Sequence, residues 1–196
     1  AFGYAWYGLI ECGILGNIET GYKFGQLALQ VLEKFHSKEF KSRTFFIVQT
    51  FINHWHQSLQ DTIPPLIEAY QVGLETGDIE YAAWASYTCS FHGYLMGQEL
   101  TELEKQMGDY AEVYSNFRQE KPQMYINSFR QAILNLLGST NTCCLSGAVY
   151  DAQTIRPLQE QAGDRTGLCF SYANELILCY LFENYTGASE AAIKAI

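Results

Sequence analysis

The sequence predicts an all-α protein of stacked antiparallel helical hairpins, and three observations support this fold class. Apolar residues recur at steps of three and four along most of the chain, which is the period of one face of a helix. No segment sustains the alternation of apolar and polar residues that is typical of a strand. The connections between the helical segments are short, which favours antiparallel neighbours.

The helices can be placed in order from this periodicity. The clearest apolar stripes consist of Phe24, Ala28, Val31 and Phe35, of Leu103, Met107, Tyr110, Tyr114 and Phe117, and of Phe129, Ile133 and Leu137. Ten helices are predicted, over about residues 2–15, 17–36, 40–57, 63–76, 78–97, 99–118, 122–138, 151–162, 164–182 and 185–196. The longest connection is expected at about residues 138–147.

The prolines and capping residues predict where the fourth helix begins. The fourth helix is expected to begin after Asp61 and Thr62, with Pro64 and Pro65 in its first turn. None of the four prolines is expected inside a periodic run, because an interior proline removes a backbone hydrogen bond.

Composition and charge restrict the class of protein. The 196 residues, 48% of them hydrophobic, suffice for a single domain over residues 1–196 with a packed core. A net charge of −9 argues against a nucleic-acid partner, and no amphipathic segment rich in Lys and Arg indicates a membrane surface. The six cysteines are expected to be reduced and mostly buried, and without a secretory signal the location is expected to be cytoplasmic.

The two ends suggest a fragment of a longer chain. Ala1 enters an apolar helical pattern without an initiator methionine, and the last residues stop within a helical pattern without a capping glycine.

Three predicted hairpin turns share a pattern. Each has a Gly or Asn at the turn and two small residues seven apart in the helix that follows, which lets that helix pack closely on its partner. The turns are Gly16-Asn17-Ile18 with Gly21 and Ala28, Gly77-Asp78-Ile79 with Ala82 and Cys89, and Asn184-Tyr185 with Ala188 and Ala195. This pattern resembles the second half of a tetratricopeptide repeat, which implies an irregular right-handed solenoid of helical hairpins.

Longer strings resemble a more particular family. Residues 7–10, 16–35, 52–55, 68–78 and 129–138 are similar to the helical region of very large bacterial, especially cyanobacterial, multi-sensor signal-transduction kinases. In that family a serine/threonine kinase domain and an AAA-like ATPase precede the helical region, and sensor and histidine-kinase domains follow it. The resemblance implies a spacer and interaction module between ATPase and sensor, and it transfers no catalytic residue.

No enzymatic or metal motif stands out. The chain lacks a phosphate-binding glycine loop, a His-Arg-Asp motif and a Gly-x-Ser-x-Gly elbow. We therefore predict no catalytic, cofactor-binding or metal-binding residue and no cofactor. Four pairs of ligand-type residues are better explained by packing or solvation than by metal binding: His54 with His56 around a core Trp55, Cys89 with His92 as a buried thiol and a packed imidazole, Glu33 with His36, and Cys143 with Cys144 as an inward-packing loop pair.

The aromatic content is the remaining functional signal. The chain has fourteen tyrosines and twelve phenylalanines, which should mostly be core residues. An excess of this size could also leave an exposed aromatic strip, and Tyr81, Trp84 and Tyr87 are the candidate partner surface.

Two functional hypotheses follow. The first is a non-catalytic scaffold within a signalling kinase, whose partners are proteins, either other domains of the parent or a signalling partner. The second is a sensor module that binds a small molecule or peptide in an aromatic groove between hairpins. A small helical metalloenzyme is a weaker third hypothesis.

Overall fold

A computed structural model describes residues 1–138 and 143–195, and its described residues form α-helices without a strand. The all-α prediction is therefore confirmed. The helices are α1 (Phe2–Leu9), α2 (Ile18–Phe35), α3 (Lys41–Phe51), α4 (Leu59–Thr76), α5 (Ile79–Leu95), α6 (Leu100–Asn116), α7 (Glu120–Leu136), α8 (Ala152–Gln161), α9 (Arg165–Leu181) and α10 (Tyr185–Ala195). Two short helical turns supplement them, a π-helical turn at Ile10–Ile14 and a 3₁₀ turn at Asn53–Trp55.

The chain divides into two compact units, an N-terminal unit from Ala1 to Gly97 and a C-terminal unit from Gln98 onward. The first contains α1 to α5 and the second contains α6 to α10. That the whole chain forms one domain, and that the hairpins form a right-handed solenoid, stay predictions.

The helices of the N-terminal unit form two layers. Helix α3 contacts both α1 and α5, so these three helices lie side by side. Helix α2 packs on α1 and α3, and α4 packs on α3 and α5. The core between the layers includes Val48, Ile52 and Leu66, none of which is accessible to solvent.

Glycines permit the closest helix contacts in this unit. A Cβ at Gly21 of α2 would lie against the Cys12 sulfur and 2.6 Å from the carbonyl oxygen of Gly8. A Cβ at Gly73 of α4 would lie 2.7 Å from the Cβ of Ala82 in α5. The small residues Gly21 and Ala82 thus lie where one helix of a hairpin meets the other, as their spacing predicts.

The C-terminal unit is built from three hairpins. Helix α6 packs on α7, α8 packs on α9 and α9 packs on α10, while α7 also contacts α9. Leu145, which precedes α8, and Leu178 of α9 belong to the same buried cluster as Tyr150.

One turn conformation recurs in both units. The residue before the Asx position has a positive φ, 72° at Gly16, 78° at Gly77 and 61° at Glu183. Gly163, with a φ of 64°, adopts it before Asp164 as well, a turn that the sequence pattern does not single out. A left-handed residue followed by an Asx residue thus ends one helix and begins the next.

The beginning of α4 and the placing of the prolines were predicted wrongly. The helix begins at Leu59, because the Ser58 hydroxyl caps it by accepting from the backbone N–H of Gln60. Pro64 and Pro65 consequently lie inside the helix, and Pro157 lies inside α8. Because proline has no backbone N–H, the carbonyls four residues before Pro64 and Pro65, those of Gln60 and Asp61, lack a helical donor. Gln60 and Asp61 are exposed, so water can donate to these carbonyls instead.

Two other predictions concern the first helix and the longest connection. The first predicted helix, 2–15, is α-helical only to Leu9 and continues as the π-helical turn. The predicted long connection, 138–147, contains residues 139–142, which lie outside the described residues.

Candidate interaction surface on the N-terminal unit

An aromatic strip crosses the layer formed by α1, α3 and α5. Each of these helices contributes rings that touch a ring on a neighbouring helix or on its own helix. The strip consists of Phe2 and Trp6 from α1, Phe46 and Phe51 from α3, and Tyr81, Trp84, Tyr87 and Phe91 from α5.

Edge-to-face contacts hold the strip together. The ring of Phe2 meets that of Tyr81 with centroids 5.7 Å apart and planes at 86°. The ring of Phe46, in the middle helix, meets Tyr81 at 5.9 Å and is stacked on Trp84 at 6.5 Å. These separations and angles are favourable for aromatic pairs, so the rings fix one another across three helices.

The strip is graded from buried to exposed. Phe46 and Tyr87 are buried, whereas Tyr81 and Trp84 are half-buried. Trp6 and Phe51 are the most exposed members, with 42% and 39% of their surface accessible to solvent. The strip therefore has an anchored base and a ring surface that a partner can touch.

The three residues predicted as a partner surface lie in this strip but are not its most exposed part. Tyr87 belongs to the base, and Tyr81 and Trp84 present part of their rings. Sequence reasoning missed Trp6, Phe46 and Phe51, which come next to the α5 residues only through helix packing. The signal available for them was the aromatic content of the segments containing α1 and α3.

Arg43 borders the strip at one end. Its guanidinium lies 5.5 Å from the ring centroid of Phe2 and 5.1 Å from that of Tyr81. Its Nε and Nη2 each donate to the Asp78 carboxylate over 2.9 Å, and hydrogen bonding to that carboxylate raises the pKa of Arg43. Arg43 thus links α3 to the beginning of α5 and positions two rings of the strip.

Two histidines lie at the C-terminal ends of α3 and α5: His54 in the 3₁₀ turn after α3 and His92 in the last turn of α5. The Thr62 hydroxyl donates to the Leu59 carbonyl over 2.6 Å, so the Nδ1–H of His92 must donate to Thr62 Oγ1 over 2.7 Å. Burial and the neighbouring His54 lower the pKa of His92 to about 4, and burial lowers the pKa of His54. Both imidazoles are neutral at pH 7. Cys89 and His92 are buried, as the packing interpretation predicted.

The interpretation of residues 54–56 was wrong. Trp55 is 54% exposed rather than a core residue, and His54 is the more buried of the two histidines. The reason is that α3 ends at Phe51 and a 3₁₀ turn follows, which rotates the next side chains. His56 is exposed, stacked on Tyr22 with centroids 4.1 Å apart, and its Nε2 is 3.4 Å from Glu19.

Of the two remaining pairs, Glu33 and His36 belong to the N-terminal unit, and Cys143 and Cys144 belong to the C-terminal unit. Glu33 and His36 are both exposed, and His36 is a left-handed residue just beyond the end of α2. Of the loop pair, Cys143 is half-buried but Cys144 is exposed, so only one of the two packs inward. Within residues 1–138 and 143–195, no three side chains of His, Cys, Asp and Glu come together as a metal site.

A polar groove of about 700 Å³ lies in the C-terminal unit between α6, α7 and residues 148–149. It is lined by acidic and basic side chains, among them Glu104, whose carboxylate accepts from Arg130 Nε over 2.7 Å. Among residues 1–138 and 143–195, none forms a hydrogen bond with the buried Oδ1 of Asn127. This groove is mostly polar, in contrast to the aromatic strip.

Comparison with known proteins finds one relative that is a signal-transduction protein. It is similar to the hybrid signal transduction histidine kinase G of Dictyostelium discoideum, with 30% identity over 116 residues. The match covers 57% of this chain and 3% of that protein, so the chain corresponds to a small segment of its relative. No family model matches the chain, and no solved structure matches it. In the described part of the chain, every helix is too short or too polar to cross a membrane.

Proposed function

We propose that the chain is a non-catalytic helical scaffold and protein-interaction module of a multidomain signal-transduction kinase, in which it links an ATPase region to sensor domains. The similarity to one segment of a histidine kinase supports the signalling context. The all-helical architecture supports a role in positioning and contact.

The aromatic strip is the observation that carries the proposal. Most aromatic rings in a helical stack fill the core, but Trp6 and Phe51 hold more than a third of their surface in water. Trp6 touches the half-buried Phe2, and Phe51 touches the buried Phe46. A rigid aromatic surface loses little conformational entropy when a partner covers it, and tryptophan and tyrosine are the residues most often important for binding at interfaces.

The chemistry of the partner follows from charge. The chain carries a net charge of −9, which favours association with a cationic segment and disfavours an acidic one. The occupant of the strip is therefore an amphipathic protein segment with large apolar side chains on one face and Lys or Arg on its flanks.

The test is a titration with two designed amphipathic peptides that share one apolar face of Leu and Trp. One peptide has Lys flanks and the other has Glu flanks, and binding is measured by fluorescence anisotropy of a label on the peptide. The basic peptide should bind the chain. The variants Trp6→Ser and Phe51→Ser should each weaken that binding about tenfold or more, because each removes an exposed ring.

Phe35→Ser is the matched control. Phe35 is an exposed aromatic residue of the same unit, at the end of α2 and outside the strip, so this variant should bind like the wild type. Equal binding of both peptides, or equal losses in all three variants, contradicts the proposed surface. Saturable binding of a metabolite at the strip would instead favour the sensor hypothesis.

A further inference from the structure

Three cysteine side chains lie close together in the C-terminal unit. Cys143 and Cys144 precede α8, and Cys179 lies in the last turn of α9. All three are free thiols. The cluster is separate from the aromatic strip and has no role in the proposed docking surface.

Cys143 is the centre of this cluster. The Cys179 thiol donates to the backbone carbonyl of Cys143 over 3.8 Å. Burial, and after it the neighbouring Cys143 thiol, raise the pKa of both Cys144 and Cys179. The packing of α9 against the segment before α8 therefore brings a helical thiol and a loop thiol together.

The beginning of α10 fixes the position of the Cys143 sulfur. The Oδ1 of Asn184 accepts from the backbone N–H of Gly187 over 3.1 Å, which orients the amide group. Its Nδ2 then donates to the sulfur of Cys143 over 3.3 Å. A thiol with a second thiol beside it can condense to a disulfide once the first has been oxidised to a sulfenic acid.

We propose that Cys143 and Cys179 form a redox modification site, in which a peroxide converts the two thiols into a disulfide that joins the segment before α8 to α9. The Cys143 sulfur attacks one peroxide oxygen, the O–O bond breaks, and Cys143 becomes a sulfenic acid with release of water. The Cys179 sulfur then displaces the sulfenic hydroxyl, which leaves as water with the thiol proton. The peroxide is reduced and the two sulfurs are oxidised.

The other sulfurs are poorly placed for this reaction. Cys143 and Cys144 are adjacent in sequence, which constrains a disulfide between them. Cys169 is exposed and lies ten positions before Cys179 on the same helix, about 15 Å away along its axis. Burial, with a smaller contribution from Cys143, raises the pKa of the Cys179 thiol to about 12. Cys179 is therefore the second thiol to react, and disulfide closure should accelerate at alkaline pH.

The test is peptide mapping of the full chain after treatment with hydrogen peroxide. Trypsin places Cys143 and Cys144 in residues 131–165 and Cys169 and Cys179 in residues 166–194. The double variant Cys144→Ser/Cys169→Ser leaves one thiol in each peptide. Oxidation should yield these two peptides joined, with a mass lower by two hydrogens, and the oxidised chain should melt at a higher temperature than the reduced chain.

The variants Cys143→Ser and Cys179→Ser should each abolish the joined peptide, while Cys169→Ser alone should leave it unchanged. Recovery of separate peptides, with Cys143 oxidised to a sulfinic or sulfonic acid, would overturn the proposal. A disulfide found only between two copies of the chain would overturn it as well.

Discussion

At the scale of single residues, glycine positions in the N-terminal unit determine how closely its helices approach. Gly21 lies against Gly8 and Cys12, so the contact between α1 and α2 depends on a missing side chain. The spacing of small residues after a turn predicted this from sequence, because the requirement is local to one helix face.

The variant Gly21→Ala should therefore destabilise the N-terminal unit. Its Cβ would lie 2.6 Å from the Gly8 oxygen, and the forced displacement should lower the free energy of unfolding by about 1–3 kcal/mol. Chemical denaturation measures this change. Gly3→Ala is the control, because a Cβ at Gly3 of α1 meets nothing within 4 Å. It should be neutral or stabilising by about 0.5–1 kcal/mol, and similar losses in both variants would contradict the account.

His92 makes the stability of the same unit depend on pH. Its pKa in the folded chain is about 4, below the value of about 6.5 expected in the unfolded chain. The stability contributed by neutral His92 is therefore fully present above pH 6.5 and is lost as the pH falls from about 6.5 towards 4.

We expect the melting temperature of the wild type to fall as the pH is lowered from about 6.5 towards 4. The melting temperature of the His92→Gln variant should fall less over the same range. His36→Asn is the control, since His36 is exposed and Asn tolerates its left-handed backbone. An NMR titration that finds His92 ionising near pH 6.5 in the folded chain would contradict this prediction.

At the scale of elements, the positions of the helices were predictable from sequence, whereas one helix boundary and the contacts between helices were less so. Periodicity located the helices because burial of one face repeats along a single segment. It failed at the beginning of α4, where Ser58 caps the helix despite Pro64 and Pro65 further on. The α5 residues of the aromatic strip were predicted, but its α1 and α3 members and the Cys143–Cys179 pair were not, because packing brings them together from separate segments of the chain.

A buried hydrogen bond joins α7 to the beginning of α9. The Tyr125 hydroxyl donates to Asp164 Oδ1 over 2.6 Å, and the same oxygen accepts from the backbone N–H of Gly167. Burial and this contact raise the pKa of Tyr125. The other carboxylate oxygen, Oδ2, is buried and has no hydrogen-bond partner among the residues that the structure describes, so Asp164 depends on the bonds that Oδ1 accepts.

Tyr125→Phe should lower the free energy of unfolding of the C-terminal unit by about 1–3 kcal/mol, because it removes a donor from a buried carboxylate. Tyr180→Phe, which alters an exposed tyrosine of α9, should change it by less than about 0.5 kcal/mol. Urea denaturation followed by far-UV circular dichroism measures both. A Tyr125→Phe variant as stable as the wild type would show that this bond does not secure the helix.

At the scale of the whole molecule, the net charge of −9 and the aromatic strip together define the proposed partner. The aromatic rings supply the contact area, and the net negative charge of the chain favours a basic segment. Electrostatic selection of this kind weakens as salt is added, whereas contact with the rings does not. Affinity for the basic peptide should therefore fall with ionic strength without disappearing.

The most direct test of the central claim is hydrogen–deuterium exchange of the full chain with and without the basic amphipathic peptide. Added protection should concentrate in α1, α3 and α5, the helices that carry the strip. Protection confined to other helices, such as α6 and α7 beside the polar groove, or no protection at a peptide concentration that saturates binding, would contradict it.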